Sequence, residues 1–405
     1  MRNLIAGLDV GTSKVCALIA EAADSGEIAL LGYGVAPSTG LRKGVVVNIE
    51  ATVDSIKSAV TEAEKSSGLK FNSAVVGVAG AHVRGFNSHG IVAVRGGEVA
   101  ARDVERVIEA ARAVAIPLDC QILHIRPQRF SIDDQEGVRE PVGMAGVRLE
   151  AHIHIVTAAQ SCVQNLERCC ERAGVTARAL ALEPLASAEA VLFPEERELG
   201  VALVDIGGGT TGIVVYHGGA VLHTAVLPIG GNHLTSDVAA GLRTPLSDAE
   251  QLKITYGVAT NSVVGRDEMV RVPGVGGREP RIIPRRLLGE IIEPRMEEIF
   301  ALVQRELIRS GVADSLASGL VLVGGSSLLE GTQELAERIF NAPVRRGLPL
   351  NLPSMPETMM KPMYATAAGL VLYARSGDGT GNGKDRHRRW GKLRSRMTEW
   401  MKEFF

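Results

Sequence analysis

Short apolar runs alternate with amphipathic stretches along most of the chain. Leu4 to Leu8, Val15 to Ala20, Ile28 to Val35 and Val75 to Ala79 are apolar segments of strand length, whereas the apolar positions of Ile49 to Ser66 recur at helical spacing. Alternating strands and helices are typical of a layered α/β fold. The pattern therefore predicts that fold class.

The pattern changes between Arg84 and Gln160. One helical stretch, Ala101 to Ala113, is followed by two segments of strand character, Gln121 to Ile132 and Ala151 to Thr157. These residues separate two parts of the chain that otherwise resemble one sheet. We therefore interpret residues 84–160 as an inserted subdomain of mixed α/β type.

Composition narrows the class of protein. The 405 residues are 45% hydrophobic and 22% charged, with a net charge of −2, so we expect two or more domains and neither disorder nor binding to nucleic acid. The apolar run that begins at Leu4 is too short for an export signal. The five cysteines form no C-x-x-C pair, so we expect a reducing cytoplasm, with no disulfide framework and no zinc site.

The strongest candidate chemistry lies in LVDIGGGTTGIVVY, Leu203 to Tyr216. An apolar strand ends at Asp205, a turn of glycines and threonines follows, and a β-branched strand leaves. Glycines allow backbone N–H groups to face a phosphate, and a carboxylate at a strand end can hold Mg²⁺ through water. Taken alone, the segment could equally be an ordinary hairpin turn.

The same order of residues occurs near the N-terminus. Gly7 to Ser13 contains the end of an apolar strand, Asp9 and a small turn with glycine and threonine, and a second apolar strand follows. Two such hairpins predict a duplicated fold that holds one polyphosphate between two halves.

Two further segments fit a nucleotide site. In Gly319 to Leu329 a strand runs into Gly324 and Gly325, which would allow the backbone to lie flat against an adenine. Glu250 and Lys253 lie one helical turn apart on one face, although such a pair is more often a surface salt bridge.

These segments resemble the two phosphate loops and the adenosine loop of the actin-like ATPase superfamily. Leu182 to Ala186 and Tyr364 to Gly369 resemble its two connecting helices. The resemblance implies ATP and Mg²⁺ as cofactors, with Asp9 and Asp205 holding the Mg²⁺ through water. The nucleotide-binding residues that it implies are Asp9, Gly11, Thr12, Ser13, Asp205, Gly207, Gly208, Gly209, Thr210, Thr211, Glu250, Lys253, Gly324, Gly325 and Ser326.

The resemblance brings two further charged residues, Glu183 and Lys14, near the phosphate loops. Glu183 matches the acid that orients water in filament-forming relatives, and it could equally stabilise the dipole of its own helix. The lysine that follows the first phosphate loop in actin would align with Cys16, and Lys14 lies two residues earlier. The resemblance therefore assigns Lys14 no direct phosphate contact.

Within the superfamily, nearly the whole chain resembles the FtsA family of bacterial cell division proteins. The segments that carry this resemblance are Thr244 to Glu250, Val272 to Arg278, Glu290 to Arg295, Asp134 to Gly137 and Pro141 to Gly143. The implied fold is α/β and actin-like, with two duplicated domains and an FtsA-type insertion. The implied first domain comprises residues 1–83 and 161–200 with a closing helix at 361–375, and the inserted subdomain comprises residues 84–160. The implied second domain comprises residues 201–360 and includes a helical subdomain at about 232–309. A linker at 376–389 and an amphipathic helix at 390–405 follow.

The family resemblance also implies a function. Such a protein binds ATP, has at most slow ATPase activity and polymerises. It is a peripheral membrane protein that tethers the FtsZ ring to the cytoplasmic face of the inner membrane and recruits later division proteins. The FtsZ C-terminal peptide would bind the helical subdomain. Arg295 is our candidate contact, although it could equally form a surface salt bridge.

The C-terminal residues suggest a membrane anchor. SGDGTGNG, residues 376–383, predicts a flexible linker, and the apolar residues of 390–405 fall on one face of a helix opposite lysines and arginines. A helix lying in an anionic membrane surface fits this pattern, and a helix packed on the protein core is the alternative. The predicted membrane-binding residues are Trp390, Leu393, Met397, Trp400, Met401, Phe404 and Phe405.

Three other interpretations remain open. A small-molecule kinase of the same superfamily needs a catalytic base, for which Glu183 is the candidate between the phosphate loops. A pilus-assembly ATPase shares the inserted subdomain but generally lacks the membrane helix. His152 and His154 share a strand face as metal ligands could, but a solvated strand face is our interpretation because no third ligand accompanies them.

Overall fold

A computed structural model describes residues 3–23, 27–265, 267–276, 278–352 and 354–375. The first elements in chain order are β1 Leu4–Val10, β2 Lys14–Ala22, β3 Ile28–Pro37, β4 Leu41–Arg42, β5 Val45–Val46, α1 Ile49–Ser67 and β6 Ser73–Val78. The predicted strands and the predicted helix occur within a few residues of their expected bounds. Helix α1 begins after Asn48, whose side chain accepts a hydrogen bond from the Ala51 N–H and so caps the first turn.

The next part of the chain forms a sheet of its own. Its elements are β7 Arg84–Ala93, α2 Ala101–Arg112, β8 Cys120–Ile132, β9 Gln135–Val138 and β10 Arg148–Ala159. The strands pair antiparallel in the order β7-β10-β8-β9, and α2 packs on one face around Val107 and Ala111. The sequence pattern missed β7, because its exposed positions include Ile91 and Ala93 while its inner positions include Ser88 and Gly90, so no apolar alternation shows.

The remaining elements lead through the second half of the molecule. They are α3 Gln160–Arg172, β11 Thr176–Leu182, α4 Glu183–Val191, α5 Pro194–Leu199, β12 Val201–Ile206, β13 Thr211–His217, β14 Ala220–Leu227, α6 Gly231–Leu242, α7 Leu246–Tyr256, β15 Met269–Val272, β16 Arg281–Pro284, α8 Arg285–Arg309, β17 Leu320–Val323, α9 Thr332–Phe340, β18 Val344–Arg346 and α10 Ala365–Arg375. Helices α6 to α8 and the two-stranded sheet of β15 and β16 follow one another directly along the chain.

Two five-stranded sheets repeat one topology. Their strand orders are β3-β2-β1-β6-β11 and β14-β13-β12-β17-β18, each with an antiparallel hairpin at its centre and two parallel strands beyond it. Asp9 lies opposite Cys16 in the first hairpin, and Asp205 lies opposite Gly212 in the second. The predicted duplicated fold is therefore confirmed.

Helices α4 and α10 lie between the two sheets. They pack on each other, α10 also contacts β1, and α4 contacts β12 and β13. Their small buried residues, such as Ala186 and Ala368, allow close approach, and they join one hydrophobic core with residues of both sheets such as Leu8 and Leu203. Glu183, at the start of α4, is thereby placed beside the two hairpins.

Candidate functional site

The turns of the two central hairpins meet across the boundary between the halves. The Ser13 hydroxyl donates to the Asn232 side chain over 3.4 Å. A Cβ added to Gly208 would lie 1.9 Å from the Ser13 Oγ, and one added to Gly209 would lie 2.6 Å from the Thr12 Oγ1. The second turn therefore offers bare backbone to the hydroxyls of the first, which is the kind of surface that cradles phosphate.

The aspartate at the end of each hairpin strand has different partners. Asp9 is buried and its carboxylate accepts from the Lys14 ammonium at 2.7 Å. Asp205 accepts from the Ser187 hydroxyl at 3.0 Å and from the Thr366 hydroxyl at 3.1 Å. Ser187 belongs to α4 and Thr366 to α10, so both connecting helices hold the second aspartate in place.

Charge in this cleft is dominated by carboxylates. Burial raises the pKa of Glu183 well above its usual range, and the charges of Asp9 and Asp205 add to the effect. Burial also raises the pKa of Asp205. For Lys14, burial opposes the charged form, but the surrounding acidic groups, Asp9 foremost, together raise the pKa of Lys14. Three carboxyl groups lie close together beside one lysine, and a bound cation would favour their ionised forms.

The donors in the cleft are the hard oxygen ligands that Mg²⁺ prefers. Mg²⁺ is usually held by one or two carboxylates together with waters and phosphate oxygens. Asp9 and Asp205 supply carboxylates of this kind, next to turns that could hold the phosphates. Within the described ranges, no group of three or more His, Cys, Asp or Glu side chains could hold a metal ion directly.

The structure places Lys14, and not Cys16, beside the acids of the two hairpins. Cys16, at the position that the resemblance gave to the phosphate-contacting lysine, is fully buried in the core, and burial raises the pKa of its thiol to about 12. Lys14 lies instead at the start of β2 with its amine on Asp9. Residues two apart on a strand share a face, so the alternation of β2 already placed Lys14 on the same face as Cys16.

Glu250 and Lys253 form the salt bridge that the sequence allowed, but its lysine end is buried. Lys253 is only 7% exposed, and its ammonium donates to Glu250 at 2.7 Å, to the Thr235 hydroxyl at 2.9 Å and to the Gly231 carbonyl at 3.2 Å. All three donors of this lysine are thereby used inside the protein. The network fixes the carboxylate of Glu250, which remains about one-third exposed.

The predicted adenosine loop lies beside this network. A Cβ on Gly231 would lie 2.5 Å from the Ser326 Oγ, so the start of α6 is close to this loop. Gly324 has φ +84°, and a Cβ there would lie 2.5 Å from the Ile206 carbonyl oxygen. At Gly325 an added Cβ would meet nothing within 4 Å among the described residues. The loop thus packs closely on the second hairpin through Gly324 and leaves an open face at Gly325.

Arg295 lies on α8, within the predicted helical subdomain. Its guanidinium donates to both carboxylate oxygens of Asp237, at 2.6 and 3.1 Å, and also pairs with Glu298. The hydrogen bonding of its guanidinium to the Asp237 carboxylate is the main reason that the pKa of Arg295 is raised. The side chain is 30% exposed, so a partner could reach it only in competition with these two acids.

The solvated strand face that we expected at His152 and His154 is wrong for His154. His154 is fully buried, with Nδ1 2.6 Å from the Asn87 side chain and Nε2 2.8 Å from the Thr224 hydroxyl. Burial lowers its pKa to about 3. The reason is tertiary, because the inserted sheet packs on β14 of the second half at this point. His152 instead stacks on His89, with ring centroids 6.0 Å apart.

The predicted linker and amphipathic helix, residues 376–405, lie outside the described residues. Within the part of the chain that the structure describes, no helix is long and apolar enough to cross a membrane.

Comparisons with known proteins agree with this fold. The family described as "Cell division protein FtsA" matches residues 202–369, and "SHS2 domain inserted in FTSA" matches residues 80–157. The cell division protein FtsA of Pseudomonas aeruginosa is 52% identical over 371 residues, which are 92% of this chain and 89% of that protein.

Two solved structures share the fold at lower identity. A PilM-PilN type IV pilus biogenesis complex has a TM-score of 0.66 at 20% identity, with 92% of this chain and 98% of that chain covered. MreB5 of Spiroplasma citri bound to ADP has a TM-score of 0.57 at 14% identity, with 93% and 97% covered. Identities this low concern the fold alone.

The duplicated sheets, the paired hairpins and the inserted subdomain define the class: this is a protein of the actin-like ATPase fold. The chain belongs to the FtsA family of cell division proteins, because its similarity to FtsA relatives extends over nearly its whole length. The predicted family is therefore confirmed, and it is favoured over the kinase and the pilus-assembly protein.

Proposed function

We propose that the chain binds ATP and Mg²⁺ between its two halves, polymerises, and tethers the FtsZ ring to the cytoplasmic face of the inner membrane. The observation that carries the nucleotide site is the meeting of the two hairpin turns beside Asp9, Asp205 and Lys14. Backbone N–H groups of both turns would bind phosphate oxygens, and Asp9 and Asp205 would hold Mg²⁺ through water. The bound Mg²⁺ would neutralise phosphate charge.

Glu183 is the candidate catalytic residue of this site. A general base must be ionised to accept a proton from water, and a raised pKa favours the protonated acid. Burial and the two neighbouring aspartates therefore disfavour the ionised form that a base needs. This supports at most slow ATP hydrolysis, as expected of a protein in which nucleotide controls assembly.

The nucleoside is proposed to bind on the second half. The Glu250 carboxylate, held by Lys253, is available to accept hydrogen bonds from ribose hydroxyls. The backbone of Gly324 to Ser326 would face the adenine, with its open side at Gly325. MreB5, whose fold is similar, was solved with ADP bound, which fits a nucleotide in this class of cleft.

Partner binding is proposed for the other parts of the chain. The FtsZ C-terminal peptide would bind the helical subdomain at about 232–309, with Arg295 released from Asp237 to pair with an acidic side chain of the peptide. The inserted subdomain at 84–160 would carry contacts between copies, and other surfaces would bind later division proteins.

Membrane binding is proposed for the C-terminal helix. Basic side chains and a one-sided apolar face are expected to bind anionic lipid, with the 376–389 linker separating this helix from the rest of the first domain. One helix should bind reversibly, whereas a polymer of many helices should bind firmly. The protein would therefore be a peripheral membrane protein of the inner membrane.

One reconstitution tests the tether. Full-length chain and FtsZ are mixed with anionic vesicles and MgATP, and FtsZ in the lipid pellet is measured. We expect FtsZ to sediment only when the chain is present, and to stay in solution with a Trp400→Glu, Phe404→Glu variant or with FtsZ that lacks its C-terminal peptide. Sedimentation of FtsZ with the tail variant would contradict the proposal. A matched Thr398→Glu variant, which adds charge outside the apolar set, should still bind.

A further inference from the structure

A two-residue turn in the first half has an unusual residue in it. Strands β4 and β5 are joined by Lys43 and Gly44, whose φ angles are +51° and +74°. Positive φ at both central positions defines a type I′ turn, in which asparagine followed by glycine is strongly preferred. A lysine in the left-handed region is uncommon and costs backbone energy. Such an exception points to a role for the side chain.

The tip of this turn lies against both phosphate hairpins. The Gly44 N–H donates to the Thr12 hydroxyl of the first hairpin at 3.2 Å. On the other side, a Cβ added to Gly209 of the second hairpin would lie 3.0 Å from the Lys43 N and Cα atoms. Lys43 is thus positioned where the two halves of the proposed nucleotide site meet.

The position of the tip is constrained from behind. A Cβ on Gly44 would lie 2.9 Å from backbone atoms of Ala79 and Gly80, at the end of β6. The turn is therefore held between β6 and the hairpins, and it cannot move away from the cleft without losing these contacts.

The ammonium of Lys43 is available for a ligand. Its side chain is exposed, and among the described residues it forms no salt bridge. By contrast, Lys14 already pairs with Asp9. A rigid turn that presents an unpaired cation at the junction of two phosphate loops has the chemistry to bind a polyphosphate.

We propose that Lys43 binds a phosphate oxygen of the nucleotide and that its turn contacts both phosphate loops at once. This inference rests on the proposed ATP site and adds a phosphate ligand from outside both hairpins. Because the turn touches both halves, the same contact helps to hold the cleft closed around the phosphates.

The test compares Lys43→Asn with Lys43→Arg in the full-length protein by calorimetric titration with MgATP and, separately, with adenosine. Asparagine suits the left-handed turn but removes the cation, so its melting temperature should equal or exceed that of the unmodified protein. We expect Lys43→Asn to weaken MgATP binding by at least about tenfold, and Lys43→Arg to bind within about threefold of the unmodified protein. Adenosine binding should be unchanged in both.

The matched control is Arg42→Asn, which removes the neighbouring exposed cation from β4. We expect it to bind MgATP nearly as the unmodified protein does. Equal MgATP affinity of Lys43→Asn and the unmodified protein would overturn this inference while leaving the ATP site intact. An equal loss with Arg42→Asn, or a parallel loss of adenosine binding, would also overturn it. If the unmodified protein does not bind MgATP, the proposed function fails together with this inference.

Discussion

The two phosphate hairpins have the same strand order but complementary turns. The first carries hydroxyl side chains, Thr12 and Ser13, that point at the second, whereas the second presents Gly208 and Gly209, which leave room for them. The turns of the two duplicated hairpins are therefore complementary in shape, because two turns that both carried side chains could not approach each other this closely.

The aspartates of the hairpins differ in the same manner. Asp9 is paired with a cation, Lys14, whereas Asp205 is held by two neutral hydroxyls and its pKa is raised by burial. The first half therefore supplies a carboxylate neutralised by a lysine, and the second half supplies one whose charge is disfavoured by burial. We expect the second aspartate to depend more strongly on a bound cation.

The largest effect is expected for Asp205→Ala. Its removal takes away a proposed Mg²⁺ ligand and leaves the Ser187 and Thr366 hydroxyls without their acceptor. Binding of a fluorescent ATP analogue in the presence of Mg²⁺ should become undetectable, a loss of about a hundredfold or more. Asp54→Ala on the exposed side of α1 is the control. Unchanged affinity of Asp205→Ala would refute the assignment of the site.

Replacing the two aspartates by asparagine should lower the free energy of unfolding by different amounts. Asp9→Asn leaves the Lys14 ammonium without its anion in a mostly buried site, so the free energy of unfolding should fall by about 3 kcal/mol. Asp205→Asn keeps an acceptor for the two hydroxyls and removes a charge that burial disfavours, so it should cost less than about 1 kcal/mol. Urea unfolding without nucleotide measures both, and equal losses would contradict the contrast.

The raised pKa of Glu183 should make the free energy of unfolding depend on pH. The pKa of Glu183 is raised in the folded state. At pH values between the ordinary carboxyl pKa and this raised pKa, the folded state therefore binds a proton that the unfolded state has released. Stability of the nucleotide-free protein should therefore fall as pH rises through that window. Glu183→Gln should be more stable than the unmodified protein at pH 7, and the difference should vanish near pH 4. Urea midpoints at the two pH values test this, and a difference independent of pH would argue against it.

The smallest effect is expected for the fit between the turns. Gly208→Ala places a Cβ 1.9 Å from the Ser13 Oγ, but this hydroxyl can rotate, so we expect only a severalfold loss of MgATP affinity. Adding Ser13→Ala removes the conflicting oxygen and should restore part of the affinity, the remaining loss being that of the Ser13 hydroxyl itself. If the double variant binds no better than Gly208→Ala, the turns are not matched in the way we describe.

Features that depend on local sequence were predictable. The strand, aspartate and turn of each hairpin are contiguous, and α1 has its cap and its apolar face within one segment, so pattern and turn chemistry located them to within a few residues. Strand β7 was missed because apolar residues occur on both of its faces, and its place in the sheet comes from pairing with β10. The roles of the predicted site residues remain predictions.

The sequence by itself determined the two hairpins and the family, because each hairpin is contiguous and the family's motifs are short local segments. The strand order depends instead on pairings such as Gly7 with Val75 and Ala202 with Leu320, which are distant along the chain. Only the tertiary structure decided the environment of the charges. Asp205 meets Thr366 from the far end of the chain, Lys253 is buried against Gly231, and His154 is covered by Thr224 of the other half. Burial and partners of this kind arise when distant elements pack together, and they set the pKa values and hydrogen bonds that no local pattern contains.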